Sequence, residues 1–199
     1  MVRDINLALE NIEKYGTTLS ATQKTQFSAE LRFLRALDYF ELVKRMAGVS
    51  LITKQLLYDY SGGASSLQDP RAKEAEVYDF IASEMDAIKG QLGNSNTITS
   101  TASNTRANKY TALALKSRAM LYAGSLAKYN SLLANPITTP GGEVGIPASC
   151  ASDYYQKSLT ASKEIINSGF YSLYKVNYYS SIDQVVLNNN PKIVRNPFH

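Results

Sequence analysis

Apolar positions recur at helical spacing in five stretches of the chain, separated by polar and Gly- or Pro-rich segments. From Val2 to Tyr15, Ile5, Leu7, Leu9 and Ile12 form a mixed helical pattern that stops at Gly16, a natural C-terminal cap. A second helix is expected after Ser20, which stands at capping-box spacing from Gln23, and should run to about Ala47 before Gly48. Its apolar residues, among them Phe33, Leu34, Leu37, Tyr39, Phe40, Leu42, Val43 and Met46, cover most of the circumference. That predicts packing on two or more sides.

Residues 48–53 read as a short extended stretch, followed by a Ser- and Gly-rich loop through Asp69. Asp69-Pro70 signals a helix start, because the carboxylate can cap and proline suits the first helical position. Val77, Phe80, Ile81, Met85, Ile88 and Leu92 then trace a one-faced amphipathic helix. After a polar linker over 93–104, Asn104 or Thr105 is the expected cap of a fourth helix. There Ala107, Ala112, Ala114, Ala119 and Ala123 alternate with Tyr110, Leu113, Leu115, Leu121 and Tyr122. Small residues in that density predict close approach of neighbouring helices.

Prolines and glycines keep 135–152 irregular. A fifth helix is expected from Asp153 or Tyr154 to Ser168, with Tyr155, Leu159, Ser162 and Ile166 on one face and Gly169 as its stop. Phe170 to Tyr174 alternates like a short extended segment. The pattern predicts an all-α fold: antiparallel helix pairs stacked in a tetratricopeptide-like (TPR-like) α–α superhelix with long loops. No strict repeat of about 34 residues is present.

Composition narrows the function more than the fold. The only cysteine, Cys150, excludes an internal disulfide framework, and the only histidine is the last residue, His199. Histidine-based triads and most metal sites therefore fall away, and no P-loop, dinucleotide glycine pattern or zinc-helix motif is present. No cofactor, metal ligand or catalytic residue is assigned.

The net charge of +4 is unevenly spread: between Ala87 and Gly142 there is no acidic residue, but Lys89, Arg106, Lys109, Lys116, Arg118 and Lys128 lie there. This density falls short of a nucleic-acid binder, and partners on neighbouring helices are the simpler expectation. The acids Asp38 and Glu41, and Glu84 and Asp86, are close on their helices. Nothing in the sequence places two of them across a cleft, as glycoside hydrolysis needs. Fourteen tyrosines and no tryptophan are the unusual feature. Tyrosine offers an apolar ring face and a hydroxyl, a combination that suits sugar rings. Tyr58, Tyr60, Tyr178 and Tyr179 are the candidate ligand contacts, because they lie in segments expected to be exposed.

Four blocks carry a family resemblance. The run from Ala29-Glu30-Leu31-Arg32-Phe33-Leu34-Arg35-Ala36-Leu37-Asp38-Tyr39-Phe40 on to Arg45 is similar to the signature helix of the SusD/RagB family of nutrient-binding outer-membrane lipoproteins. The continuation Gly48-Val49-Ser50-Leu51-Ile52 has Ser50 where the family usually has proline. Glu76 to Ile88, Thr105 to Gly124 and Ile165 to Leu173 resemble further family blocks, in the same order.

The resemblance implies a TPR-like helical core, anchored by lipid outside the cell, that captures oligosaccharide or another nutrient. It implies delivery to a SusC-like TonB-dependent transporter, with no catalytic turnover. It also implies that residues 1–199 are one incomplete helical domain, lacking the family's N-terminal lipoprotein signal and C-terminal portion. Arg32, Arg35 and Tyr39 are then scaffold residues that hold helix pairs together. Two other readings compete: a helical protein–protein interaction scaffold without ligand binding, and a glycan-cleaving enzyme using Asp38 or Glu41.

Overall fold

The computed structural model describes residues 1–58, 60, 64–93 and 106–171. They form α1 (Val2–Tyr15), α2 (Ala21–Met46), α3 (Glu74–Ile88), α4 (Lys109–Asn130) and α5 (Ala151–Asn167), with short 3-10 turns at Ala64–Leu67 and Ala148–Cys150. Among the described residues there is no strand. Each helix packs on the next, and cross-helix contacts fix the directions. Arg35 of α2 reaches Asn6 of α1, Tyr39 meets Phe80 of α3, Lys116 of α4 meets Asp86 of α3, and Ser117 of α4 meets Ser158 and Ser162 of α5. Consecutive helices therefore run antiparallel, giving the all-α, TPR-like array that the hydrophobic pattern predicts.

Helix ends follow local chemistry where it is uncontested. Ser20 and Gln23 form the expected capping box, with Gln23 N donating to Ser20 Oγ at 3.2 Å and Ser20 N donating to Gln23 Oε1 at 2.9 Å. α2 is packed by α1 and by α3, and it also touches α4, where the Phe40 and Tyr122 rings meet edge to face. Leu34, Leu42 and Met46 nevertheless stay exposed.

Three sequence expectations are corrected. α3 starts at Glu74 rather than at Asp69-Pro70, because residues 69–72 pair with the last residue of α2 and the segment just after it instead. Ala72 N donates to Val49 O (3.2 Å), Ser50 Oγ to Asp69 O (2.7 Å) and Arg71 to Gly48 O and Met46 O (2.8 and 2.6 Å). α4 is capped by Asn108, whose side chain accepts from Tyr110 N and Thr111 N; Asn104 and Thr105 lie outside the described residues. α5 begins at Ala151 and buries Tyr154, Ser158 and Ala161, whereas Leu159 and Ile166 of the expected face are exposed. The real face is the one that meets α4, where Ser158 Oγ donates to Ser117 O at 2.9 Å.

One core runs through the array: Tyr39, Phe40 and Val43 of α2, Val77, Ile81 and Met85 of α3, Ala119, Met120 and Ala123 of α4, and Tyr154 of α5. The small residues of α4 do what their density predicts. At Gly124 the α5 ring of Tyr155 lies so near that an added Cβ would sit 3.0 Å from it.

A strap over residues 137–146 closes the far end of the array. Gly48 N donates to Glu143 O at 2.7 Å, Glu74 N to Gly142 O at 3.0 Å, and Gly145 N to the Glu74 carboxylate at 2.7 Å. A side chain at Gly48 would strike the Ala72 carbonyl oxygen and come within 2.8 Å of Glu143 O, so the close approach requires glycine.

Candidate functional site

Arg35 and Tyr39 project from the middle of α2, where burial forces each to find partners. Tyr39 Oη accepts from Ile52 N at 2.7 Å and lies within donating distance of Ile52 O and Ser50 O. Arg35 donates to Thr53 O at 3.0 Å and to Asn6 Oδ1 at 2.9 Å. Asn6, fully buried on α1, donates to Ile52 O and Lys54 O at 3.0 and 3.2 Å. Glu10 accepts from Gln55 N at 2.9 Å. Residues 50–55 are thus pinned through their backbone by side chains of α1 and α2. Polar groups that would otherwise be buried unpaired are satisfied by this one segment.

Beneath it, Glu84 of α3 takes both arginines: Arg32 Nη2 at 2.7 Å and Arg35 Nη2 at 3.0 Å. Burial alone would raise the Glu84 carboxyl, but the hydrogen bonds and charges of Arg32 and Arg35 outweigh it and hold it below the ordinary value.

Beyond Gln55 several side chains are exposed. Leu57 is 74% exposed, Tyr58 43% and Tyr60 86%. The Tyr58 and Tyr60 rings meet edge to face, with centroids 4.8 Å apart and planes inclined by 62°. Tyr60 adopts a left-handed backbone (φ 61°), a conformation uncommon for a side chain of its size. Two of the four candidate tyrosines are therefore brought together on an anchored loop, and Tyr178 and Tyr179 lie outside the described residues. Asn6 and Glu10, which help position this loop, carry no sequence signal beyond being polar residues beside an apolar face.

The acids of the other readings are not grouped in a cleft. Glu41 is partly exposed and pairs within its own helix with Lys44 at 2.5 Å and Arg45 at 2.7 Å; Asp86 pairs with Lys116 at 2.6 Å. Asp38 has one buried oxygen without a hydrogen-bond partner, and burial pushes its carboxyl up. Lys89, Arg106, Lys109 and Lys116 of the basic stretch find acidic partners on other helices. Lys89 and Lys109 share Glu164 at 2.8 and 3.0 Å, and Arg106 pairs with Glu30.

Elsewhere an open groove of about 980 Å³ lies between the C-terminal end of α2, the second half of α4 and the strap. Met46, Leu121, Leu126, Tyr129, Leu133 and Ile137 are among the residues lining it, each partly exposed. Glu74 closes its back; burial raises that carboxyl, opposed by the hydrogen bond from Gly145. No helix is long and apolar enough to cross a membrane among the described residues.

Residues 1–121 match a SusD-like family described as starch-binding and associating with the outer membrane. A SusD-like protein of Bacteroides fragilis is 32% identical, aligned over 69% of this chain and 26% of its own, with a TM-score of 0.53. A SusD homologue of Bacteroides thetaiotaomicron shares the fold at 22% identity and a TM-score of 0.63, over 95% of this chain and 31% of its own. A laminarin-binding SusD-like protein aligns over 66% of this chain and 26% of its own, at 24% identity and a TM-score of 0.52. No curated protein matches the chain. The chain spans between a quarter and a third of the length of these solved structures.

Proposed function

Since the chain belongs to the SusD-like family, described as starch-binding and associating with the outer membrane, we propose that it captures oligosaccharide at the cell surface and passes it to a SusC-like TonB-dependent transporter. It acts without turnover, as a binding protein held at the outer membrane by a lipid anchor in its complete form.

The observation that carries this reading is the anchored, exposed pair Tyr58 and Tyr60. Their ring faces can stack on the C–H faces of sugar rings, and their hydroxyls can bond the polar edges. Rings inclined by 62° do not make one flat platform. They match successive residues of a glucan that twists along its length, and a laminarin-binding relative fits this preference. The signature residues Arg35 and Tyr39 then act at one remove, fixing residues 50–55 so that the loop beyond them is presented in one geometry.

The test is titration calorimetry of the longest natural form with maltoheptaose and with laminarin oligosaccharides. Binding of either is expected, with Tyr60→Ala and Tyr58→Ala each weakening it by about 1 kcal/mol or more while the thermal midpoint holds. Absence of binding to any glucan would turn the assignment toward the interaction-scaffold reading.

A further inference from the structure

Among the described helices α1 packs on α2 alone, yet two of its polar side chains also hold the backbone of residues 52–55. Asn6 and Glu10 stand four residues apart, about 6 Å along the helix axis, and so share one edge of α1. Their chemistry matches what they meet. The Asn6 amide nitrogen donates to the carbonyl oxygens of Ile52 and Lys54 at 3.0 and 3.2 Å, and the Glu10 carboxylate accepts from Gln55 N at 2.9 Å. Lys54 and Gln55, adjacent in the chain, are thus held from successive turns of one helix.

The two tethers differ in burial, and that separates stability from presentation. Asn6 is 1% exposed and also accepts from Arg35, so its loss would leave buried polar groups unpaired and weaken the fold. Glu10 is exposed, and water can replace its bond to Gln55 at little cost to the folded state. Water cannot, however, keep Gln55 N at a fixed point relative to α1. Three residues further on stands Tyr58, its ring against Tyr60, and the intervening Leu56 and Leu57 are 41 and 74% exposed.

We propose that Glu10 is a positioning residue for glucan binding: through Gln55 N its carboxylate fixes the direction in which the chain leaves α1 toward Tyr58 and Tyr60. The inference rests on the glucan-binding reading of that pair. Glu10 acts through the backbone and touches no sugar. A loop freed at Gln55 has to be ordered again when a glucan docks, and that ordering weakens binding.

The test compares the longest natural form with its Glu10→Ala, Glu10→Gln and Glu13→Ala variants. Each is titrated with maltoheptaose and with laminarin oligosaccharides. Each is also exposed, without glucan, to dilute chymotrypsin, which cuts after Leu56, Leu57, Tyr58 and Tyr60 once the segment loosens. Glu10→Ala should bind glucan about threefold or more weakly, be cut severalfold faster over 56–60, and keep its thermal midpoint. Glu10→Gln retains an acceptor oxygen for Gln55 N and should recover both properties. Glu13→Ala, which removes an exposed acid from the same helix, should alter neither.

Unchanged binding and cleavage in Glu10→Ala would overturn the inference. So would weaker binding with unchanged cleavage, which makes Glu10 a direct sugar contact, or a lowered midpoint, which makes it a structural residue. Failure of the wild type to bind either glucan overturns the glucan reading instead, and chymotrypsin then decides alone whether Glu10 positions the tyrosine pair.

Discussion

At the scale of single residues, the fold turns on a small charged network that touches three helices. Glu84 neutralises Arg32, whose side chain is 28% exposed, and Arg35, whose side chain is 7% exposed. The two pairs are unequal for that reason. Removing the carboxylate leaves Arg35 charged, buried and still tied to Asn6 and Thr53. Glu84→Gln should therefore cost about 3 kcal/mol in urea unfolding. Arg32→Ala, which removes a partner with access to water, should cost about 1 kcal/mol.

The same network sets a pH dependence. Because the folded Glu84 carboxyl lies below its ordinary 4.5, its contribution is complete above that value and is lost as pH falls through the folded pKa. Asp38 and Glu74 shift the other way, so they oppose this loss on acidification. The Glu84 part is read as the difference in urea midpoint between wild type and Glu84→Gln, which should shrink below about pH 4.5. A constant difference down to pH 3 would show that the carboxylate's charge is not what holds the arginines.

At the scale of elements, legibility in the sequence depended on whether local signals faced competition. Ser20 and Gln23 cap α2 as their spacing predicts, since both groups are solvent-exposed and nothing distant competes for them. Ser20→Ala should cost about 1 kcal/mol by thermal or urea unfolding, the usual worth of such a cap. Asp69-Pro70 carried a comparable local signal and lost. The backbone of Ala72 and Asp69 found hydrogen bonds to Val49 and Ser50, and the Arg71 guanidinium found the Gly48 and Met46 carbonyls, some 20 residues away in sequence. Such pairing leaves no trace in a local pattern. In α5 the face was misread by one position, because Tyr154, Ser158 and Ala161 include a polar residue that α4 satisfies through Ser117. The tyrosine pair was legible as a loop pattern, but the side chains that aim it were not. Asn6 and Glu10 gain their roles only when α1 is laid against residues 52–55. The groove was equally hidden, since Leu121, Leu126 and Tyr129 read as core residues in any helical pattern.

At the scale of the whole molecule, most helix–helix contacts join neighbours in chain order, and the strap is among the elements that reach further. Its bond from Gly145 to Glu74 spans 71 residues. Forming it requires a loop closure that brings no reward until α2, α3 and α4 are in place. Helix pairs, held by contacts between adjacent elements, can assemble before that closure is made. The strap is thus expected to form late and to open first. Amide exchange in rising urea should show the Gly48 and Gly145 protons released through a local opening, at lower urea than those of Leu113 and Met120 in α4. Should all four exchange together, the array would behave as one cooperative block. Otherwise the end of the molecule carrying the groove is a latch whose opening leaves the other helices standing.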